Sequence, residues 1–184
     1  MKIQAIPIEK IDLVIDIYRK GNLTEALDEI DNLHLNLNYS KNPLLLNISG
    51  ACYASLGKIQ LAIESYELAI SIKPDFIDAI FNLGNLNREL NNLEDAIKCY
   101  QKILNLMPTH GPAQINLGIS LYEFSSINDA IDHYEKAKRI NPKNTEIVTN
   151  LGNLYQESGK YENAVIEYEN ALIINPNDAV LNNN

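Results

Sequence analysis

Tryptophan is missing from this sequence, cysteine occurs only twice, and no long apolar run is present. Because a membrane-spanning helix needs roughly 18 consecutive apolar residues, we predict no membrane insertion. The N-terminal stretch lacks a sustained apolar core and a small-residue cleavage site, which argues against a secretory signal and makes the cytoplasm the expected compartment. Cys52 and Cys99 form no C-x-x-C pair, so we interpret both as small core residues without chemistry.

Basic residues are also scarce, since 15 Lys and Arg stand against 24 Asp and Glu and give a net charge of −9. This charge disfavours nucleic acids and anionic membranes as partners and favours basic or neutral proteins. His34, His110 and His133 stand far apart, without acidic or thiol partners at metal-ligand spacing. A phosphate-binding glycine loop and a nucleophile elbow are both lacking. We therefore expect this chain to have no enzymatic activity, metal or cofactor.

What the sequence does contain is a repeat with a period of 34 residues. One glycine, one alanine, one tyrosine and one proline keep their positions through four copies. These positions are Gly50, Gly84, Gly118 and Gly152; Ala62, Ala96, Ala130 and Ala164; Tyr66, Tyr100, Tyr134 and Tyr168; and Pro74, Pro108, Pro142 and Pro176. A period of this length with this pattern is typical of a helix-turn-helix solenoid, so we predict an all-α fold.

The spacing of apolar residues predicts two helices in each repeat. In the second full repeat they recur on one helical face over residues 77–90, which we name helix A, and again over 93–106, which we name helix B. The turn between the helices is occupied by Gly57, Asn91, Ser125 and Gly159 in the four full repeats. Glycine and asparagine readily adopt the left-handed conformation that closes a helix, and the final proline stops helix B.

Glycine within helix A predicts a close contact between the two helices. Glycine inside a helix lowers stability by about 0.5–1 kcal/mol relative to alanine, so its recurrence at the same position of each repeat requires a compensating interaction. We expect Gly84 and Ala96 to let helices A and B approach, with Tyr100 filling the space beside them.

The repeat divides the whole chain into segments. We predict an N-terminal tail (1–6), a degenerate first repeat (7–42), four full repeats (43–76, 77–110, 111–144 and 145–178) and the truncated start of another (179–184). Terminal repeats of a solenoid are commonly atypical, so we interpret residues 7–42 as a cap. A polar capping helix is missing after the last full repeat, which leads us to expect a fragment of a longer protein.

Four features match one known repeat pattern: Leu151, Gly152 and Tyr155; the small residue early in helix B; the recurring tyrosine; and the closing proline. Through these features, residues 43–178 resemble the tetratricopeptide repeat family. The chain departs from the family pattern at Ser49, Asn87, Ile103 and Leu121. The resemblance implies a right-handed superhelix of antiparallel helix pairs. It also implies that the A helices line a concave groove, which holds a peptide segment of a partner protein.

Helical phase identifies the side chains of the A helices that face this implied groove. The candidate peptide-binding residues are Asn82, Asn85, Asn116, Asn150, Asn153, Phe81, Tyr122 and Arg88. An asparagine amide both donates and accepts hydrogen bonds, so it can hold a peptide backbone without reading its sequence. Phe81, Ile115, Ile119 and Tyr122 would form an apolar patch in the middle of the groove.

Two interpretations of the asparagine row stay open. The row is similar to the asparagine ladder in the tetratricopeptide arm of O-linked N-acetylglucosamine transferases, which implies ligand binding. Asparagine is also common at these positions in the family, where it bonds between repeats.

Three functions are compatible with this pattern. The leading hypothesis is a protein-interaction scaffold. The second is the substrate-recruiting arm of a larger enzyme, for example a glycosyltransferase, whose catalytic domain is absent from this chain. The third is self-assembly, in which the last repeat stacks on another copy.

Overall fold

The computed structural model describes residues 4–35, 40–124 and 126–176, and ten α-helices occupy these ranges. In chain order they are α1 (Ile8–Arg19), α2 (Leu23–Leu35), α3 (Pro43–Ser55), α4 (Ile59–Ile72), α5 (Ile77–Glu89), α6 (Leu93–Leu106), α7 (Gly111–Phe124), α8 (Ile127–Ile140), α9 (Thr145–Glu157) and α10 (Tyr161–Ile174). The predicted all-α architecture of successive helix pairs is confirmed. None of the helices in these ranges is long and apolar enough to cross a lipid bilayer.

The turns within the helix pairs have the predicted backbone conformation. Asn91 has a φ of 60°, and Gly57 and Gly159 have φ values of 71° and 75°. These angles are left-handed, the conformation in which glycine and asparagine end a helix with the least strain. Gly21 adopts the same conformation in the first repeat, with a φ of 81°. Ser125, which holds this position in the third full repeat, lies outside the described residues.

Several A helices begin at a side chain that caps the first turn. The Asn42 side chain accepts hydrogen bonds from the amides of Leu44 (2.9 Å) and Leu45 (3.3 Å), and proline follows it at the first helical position. The Asn144 side chain accepts one from the amide of Ile147 at 3.2 Å. Such bonds satisfy amides that lack a partner within the helix, so the starts of α3 and α9 are encoded locally.

The chain forms two compact units, residues 1–86 and 87–184. In the first unit, α1, α2 and α3 share an apolar core that includes Val14, Ile30 and Cys52. The segment before α1, which we predicted as a tail, contributes to this core because Ile6 is buried in it. A hydrogen bond of 2.9 Å from the Ser40 amide to the Gln4 carbonyl oxygen also holds this segment.

The core of the second unit joins side chains from α7, α8, α9 and α10. It includes the fully or almost fully buried side chains of Ile131, Tyr134, Ile147 and Leu151. Ile103, which stands where the family usually has a small residue, is also fully buried. This departure from the family pattern is therefore accommodated inside the protein.

The recurring glycine of helix A packs directly on the recurring tyrosine of helix B. A Cβ atom added at Gly118 would collide with the ring of Tyr134. The same added atom would lie 2.5 Å from the Tyr66 ring at Gly50 and 2.7 Å from the Tyr168 ring at Gly152. Real Cβ atoms do not approach that closely, so helices A and B are in close contact at the recurring glycine in these three repeats, with tyrosine as its immediate partner.

Candidate functional site

A cleft lies between α7 and α9, the A helices of two successive repeats in the second unit. Its volume is about 170 Å³. Its apolar surface comes from Ile119, Leu154 and the rings of Tyr122 and Tyr134, and its polar surface comes from Asn150, Asn153 and Glu157. We call this feature the α7–α9 cleft. It combines apolar walls with amide and carboxylate groups in one small space.

One hydrogen bond crosses the rim of the α7–α9 cleft. The hydroxyl of Tyr122 donates to Oε1 of Glu157 at 2.6 Å. Both side chains are exposed, and the bond to the carboxylate raises the pKa of Tyr122. Helical phase places both Tyr122 and Glu157 on the groove-facing sides of their helices, but it does not indicate that the two side chains bond to each other.

Asn150 lies deeper in the cleft and is hydrogen-bonded to the protein itself. Its Nδ2 donates to the hydroxyl of Tyr134 at 3.2 Å, and that hydroxyl donates to the carbonyl oxygen of Ile115 at 3.0 Å. Burial raises the pKa of Tyr134 to about 12, and the hydrogen bond with Asn150 opposes this shift. The amide of Asn150 is therefore held in one orientation by the core.

The other predicted asparagines of the second unit also contact tyrosine hydroxyls. The hydroxyl of Tyr168 lies 2.8 Å from Oδ1 of Asn153. Burial raises the pKa of Tyr100, and hydrogen bonds with Arg88 and Asn116 oppose that rise. Tyr100 and Asn116 thus repeat the pairing of Tyr134 and Asn150, a tyrosine of helix B bonded to an asparagine of the next helix A. This pairing indicates that one hydrogen bond of each asparagine side chain contributes to packing between helices.

The remaining predicted groove residues lie on α5, and the first unit contains Phe81, Asn82 and Asn85. Nδ2 of Asn82 donates to Oδ1 of Asn47 on α3 at 3.0 Å, so asparagines of two successive A helices are bonded to each other. Phe81 and Asn85 are half-buried on the same helix. Arg88 is half-buried as well and belongs to the second unit. The structure thus divides the predicted site residues between the two units.

The expectation that Ile115 faces the groove is wrong. Ile115 is only 7% exposed and packs in the core with residues of α8 and α9. α7 contacts α6, α8 and α9, so its buried face is wider than the spacing of its apolar residues indicates. Ile119, the other isoleucine of the predicted apolar patch, does line the α7–α9 cleft.

The exposed charge along α7 and α9 has one sign. Neither helix contains a lysine or an arginine. Glu123, Glu146 and Glu157 are all exposed on these helices. Of these three residues, Glu157 lines the α7–α9 cleft, so its carboxylate gives the rim a negative charge that attracts cations.

The described ranges show no sign of metal or acid–base chemistry at the α7–α9 cleft. These residues contain no group of three or more His, Cys, Asp and Glu side chains that could hold a metal ion. His133 is half-buried, with Nε2 at 2.8 Å from the carbonyl oxygen of Gln114, and burial lowers the pKa of its imidazole. This histidine connects α8 to α7 and lies outside the α7–α9 cleft.

Comparison with solved structures finds the same fold in MamA proteins. "Crystal structure of MamA" is 24% identical, with a TM-score of 0.77 over 91% of this chain and 96% of that chain. "MamA 41-end from Desulfovibrio magneticus RS-1" is 16% identical, with a TM-score of 0.76 over 92% of this chain and 95% of that chain. At these identities the likeness shows the fold alone. No curated protein sequence matches the chain.

Family models match most of the repeats. A model described as "TPR repeat" matches residues 50–90 and 118–159. Two models described as "Tetratricopeptide repeat" match residues 77–110 and 146–178. The matched residues together make up more than half of the sequence. Repeats of this kind favour a role in protein–protein interaction. The chain belongs to the tetratricopeptide repeat family.

Proposed function

We propose that this chain is a protein-interaction scaffold that holds an extended segment of a partner protein along the exposed side of its A helices. The observation that carries the proposal is the α7–α9 cleft, where Asn150 and Asn153 stand beside the apolar surface of Ile119 and Leu154. Family membership supports it, because stacked helical repeats create extended surfaces for binding other proteins. In the first unit, Asn82, Asn85 and Phe81 supply the same kinds of group on α5.

The asparagines are suited to holding a peptide backbone because the protein orients them beforehand. An asparagine amide offers two donor hydrogens and an acceptor oxygen, and the bond between Asn150 and Tyr134 uses one donor. Asn153 is exposed and accepts through its oxygen. Preorganised groups lose less conformational entropy on binding, so packing and ligand binding are compatible roles for the same side chain.

Replacing two asparagines tests the proposal. Peptides are first selected from a random dodecamer library on the whole chain, and their Kd is then measured with the wild type and with Asn150→Ala plus Asn153→Ala. Each lost hydrogen bond weakens binding by about 0.5–1.5 kcal/mol, so we expect an affinity loss of about tenfold.

Asn128→Ala, an exposed substitution on helix B, is the matched control and should leave the affinity unchanged. Thermal melting of each variant separates lost binding from lost folding. Equal Kd values for the wild type and the folded double variant would count against the groove.

A second candidate function is self-association, and one face of α10 favours it. Ile166 and Ile173 are 54% and 78% exposed, at positions that α8 fills with Asp132 and Arg139. Val165 is 54% exposed, whereas its counterpart in α8 is buried in the core. Sedimentation over a concentration series tests this function. We expect the apparent mass to rise with concentration and Ile173→Lys to suppress the rise, and a constant monomer mass would contradict self-association.

A further inference from the structure

The α7–α9 cleft has the size and charge to select one type of side chain. Resting on the peptide-binding function proposed above, we propose that the cleft takes a lysine of the bound segment, with the aliphatic stem between Ile119 and Leu154 and the ammonium group at Glu157. The asparagines would hold the backbone, and this subsite would supply specificity.

The size of the cleft limits it to a single side chain. Its volume of about 170 Å³ is well below the roughly 300–1,000 Å³ of sites that hold drug-sized ligands. Ile119 and Leu154 supply aliphatic surface, and the ring of Tyr122 adds an aromatic wall. A lysine buries its methylene stem against such surfaces while its charged end stays at the rim, so the distribution of apolar and polar groups matches this residue.

The charge at the rim excludes an acidic residue and favours a cation. The carboxylate of Glu157 lines the cleft, whereas Glu123 and Glu146 lie elsewhere on the same two helices. Because α7 and α9 carry no lysine or arginine, no basic side chain of these helices competes for the carboxylates.

The hydrogen bond across the rim favours lysine over arginine. Oε1 of Glu157 already accepts the hydroxyl of Tyr122 at 2.6 Å. An arginine binds best when its planar fork reaches both carboxylate oxygens, so it would compete with Tyr122 for Oε1. An ammonium group is a compact point charge that can bind Oε2 without needing Oε1, with its other hydrogens facing water at the rim. The intact bond between Tyr122 and Glu157 is therefore compatible with lysine.

The experiment uses peptides selected from a random dodecamer library on the whole chain. In each selected peptide every lysine is replaced in turn by norleucine, which keeps the aliphatic stem without the charge, and by arginine. We measure Kd by fluorescence polarisation with the wild type, with Glu157→Gln and with the matched control Glu123→Gln. Glutamine at position 157 retains an oxygen that can accept the Tyr122 hydroxyl, so the folded structure is preserved.

We expect lysine to be enriched at one peptide position. Its replacement by norleucine should weaken binding to the wild type and to Glu123→Gln by about tenfold or more, the effect of one charge-assisted hydrogen bond. With Glu157→Gln the same replacement should change Kd by less than about threefold, because the peptide lysine then has no carboxylate at position 157 to interact with. Arginine should also bind more weakly than lysine.

Failure of the lysine subsite is distinguishable from failure of the groove. Selected peptides that lack a preferred lysine, that tolerate arginine without loss, or whose response to norleucine is undiminished in Glu157→Gln overturn the subsite. If those peptides still respond to Asn150→Ala plus Asn153→Ala, the proposed function stands. If no peptide is selected, or if none responds to the asparagine substitutions, both proposals are overturned.

Discussion

Gly118 sets the distance between α7 and α8, because an added Cβ atom would collide with the ring of Tyr134. We expect Gly118→Ala to destabilise the protein by about 1–3 kcal/mol through overpacking, although alanine by itself favours a helix over glycine. Urea denaturation measures this change. Gly111→Ala is the matched control, because its Cβ would meet no aromatic ring and only the side-chain nitrogen of Asn144, at 3.2 Å. An unchanged urea midpoint for Gly118→Ala would contradict the packing role.

Tyr134 should make stability fall at alkaline pH. Burial raises the pKa of Tyr134 to about 12 from 10.0, so the folded state retains the phenolic proton over a pH range in which the unfolded state loses it. The stabilisation is therefore complete below pH 10 and is lost as the pH rises towards 12. We expect the free energy of unfolding to decline over this range.

Comparison with Tyr134→Phe identifies the contribution of this residue. The variant lacks the ionisable hydroxyl and its bonds to Asn150 and Ile115, so it should be less stable but also less sensitive to alkaline pH. The measurement is urea denaturation at several pH values for both proteins. Parallel pH profiles would show that Tyr134 is not the source of the effect.

Between elements, a partly buried ion pair connects α8 to α10. Nζ of Lys138 lies 2.6 Å from Oε2 of Glu167, whose side chain is only 9% exposed. Lys138→Met should destabilise the protein by about 2–4 kcal/mol, because it leaves a buried carboxylate without its partner. Adding Glu167→Leu should restore much of that loss, since an apolar pair avoids the desolvation cost. Urea denaturation of both single variants and the double variant tests this, and additive effects would contradict the coupling.

This ion pair shows why contacts between repeats were hard to predict from the sequence. Four of the five residues at 135–139 are charged, a pattern that is typical of a solvated helix face. Yet Lys138 bonds to Glu167, and Glu135 accepts a hydrogen bond of 2.7 Å from Tyr155. Both partners lie on other helices, so no pattern within the run could indicate them.

The positions of helices and turns were predictable because the residues that specify them are local. The period, the left-handed residues at 57, 91 and 159, and the closing prolines together indicated helix bounds close to those of α5 and α6. A close contact at the glycine of helix A was predictable because that glycine recurs at the same position in all four full repeats. By contrast, the burial of Ile115 depends on α6, α8 and α9 packing around one helix, which spacing within α7 does not reveal.

For the molecule as a whole, the 34-residue period led to Asn150, Asn153 and Tyr122, three side chains that line the α7–α9 cleft. It did not indicate that Tyr122 bonds to Glu157, or that tyrosine hydroxyls hold the asparagines. These hydrogen bonds depend on the distance between successive helices, which the sequence pattern does not specify. The sequence therefore predicted the surface of the candidate site, and the structure added its chemistry.

The central claim is that another polypeptide binds on the exposed side of the A helices, and amide chemical-shift mapping by NMR tests it most directly. On addition of a selected dodecamer to the whole chain, we predict that the largest shifts fall on α7 and α9 around Asn116, Tyr122, Asn150 and Asn153. The exposed faces of α8 and α10 should change little. Shifts concentrated on α8 and α10, with α7 and α9 unperturbed, would contradict the account.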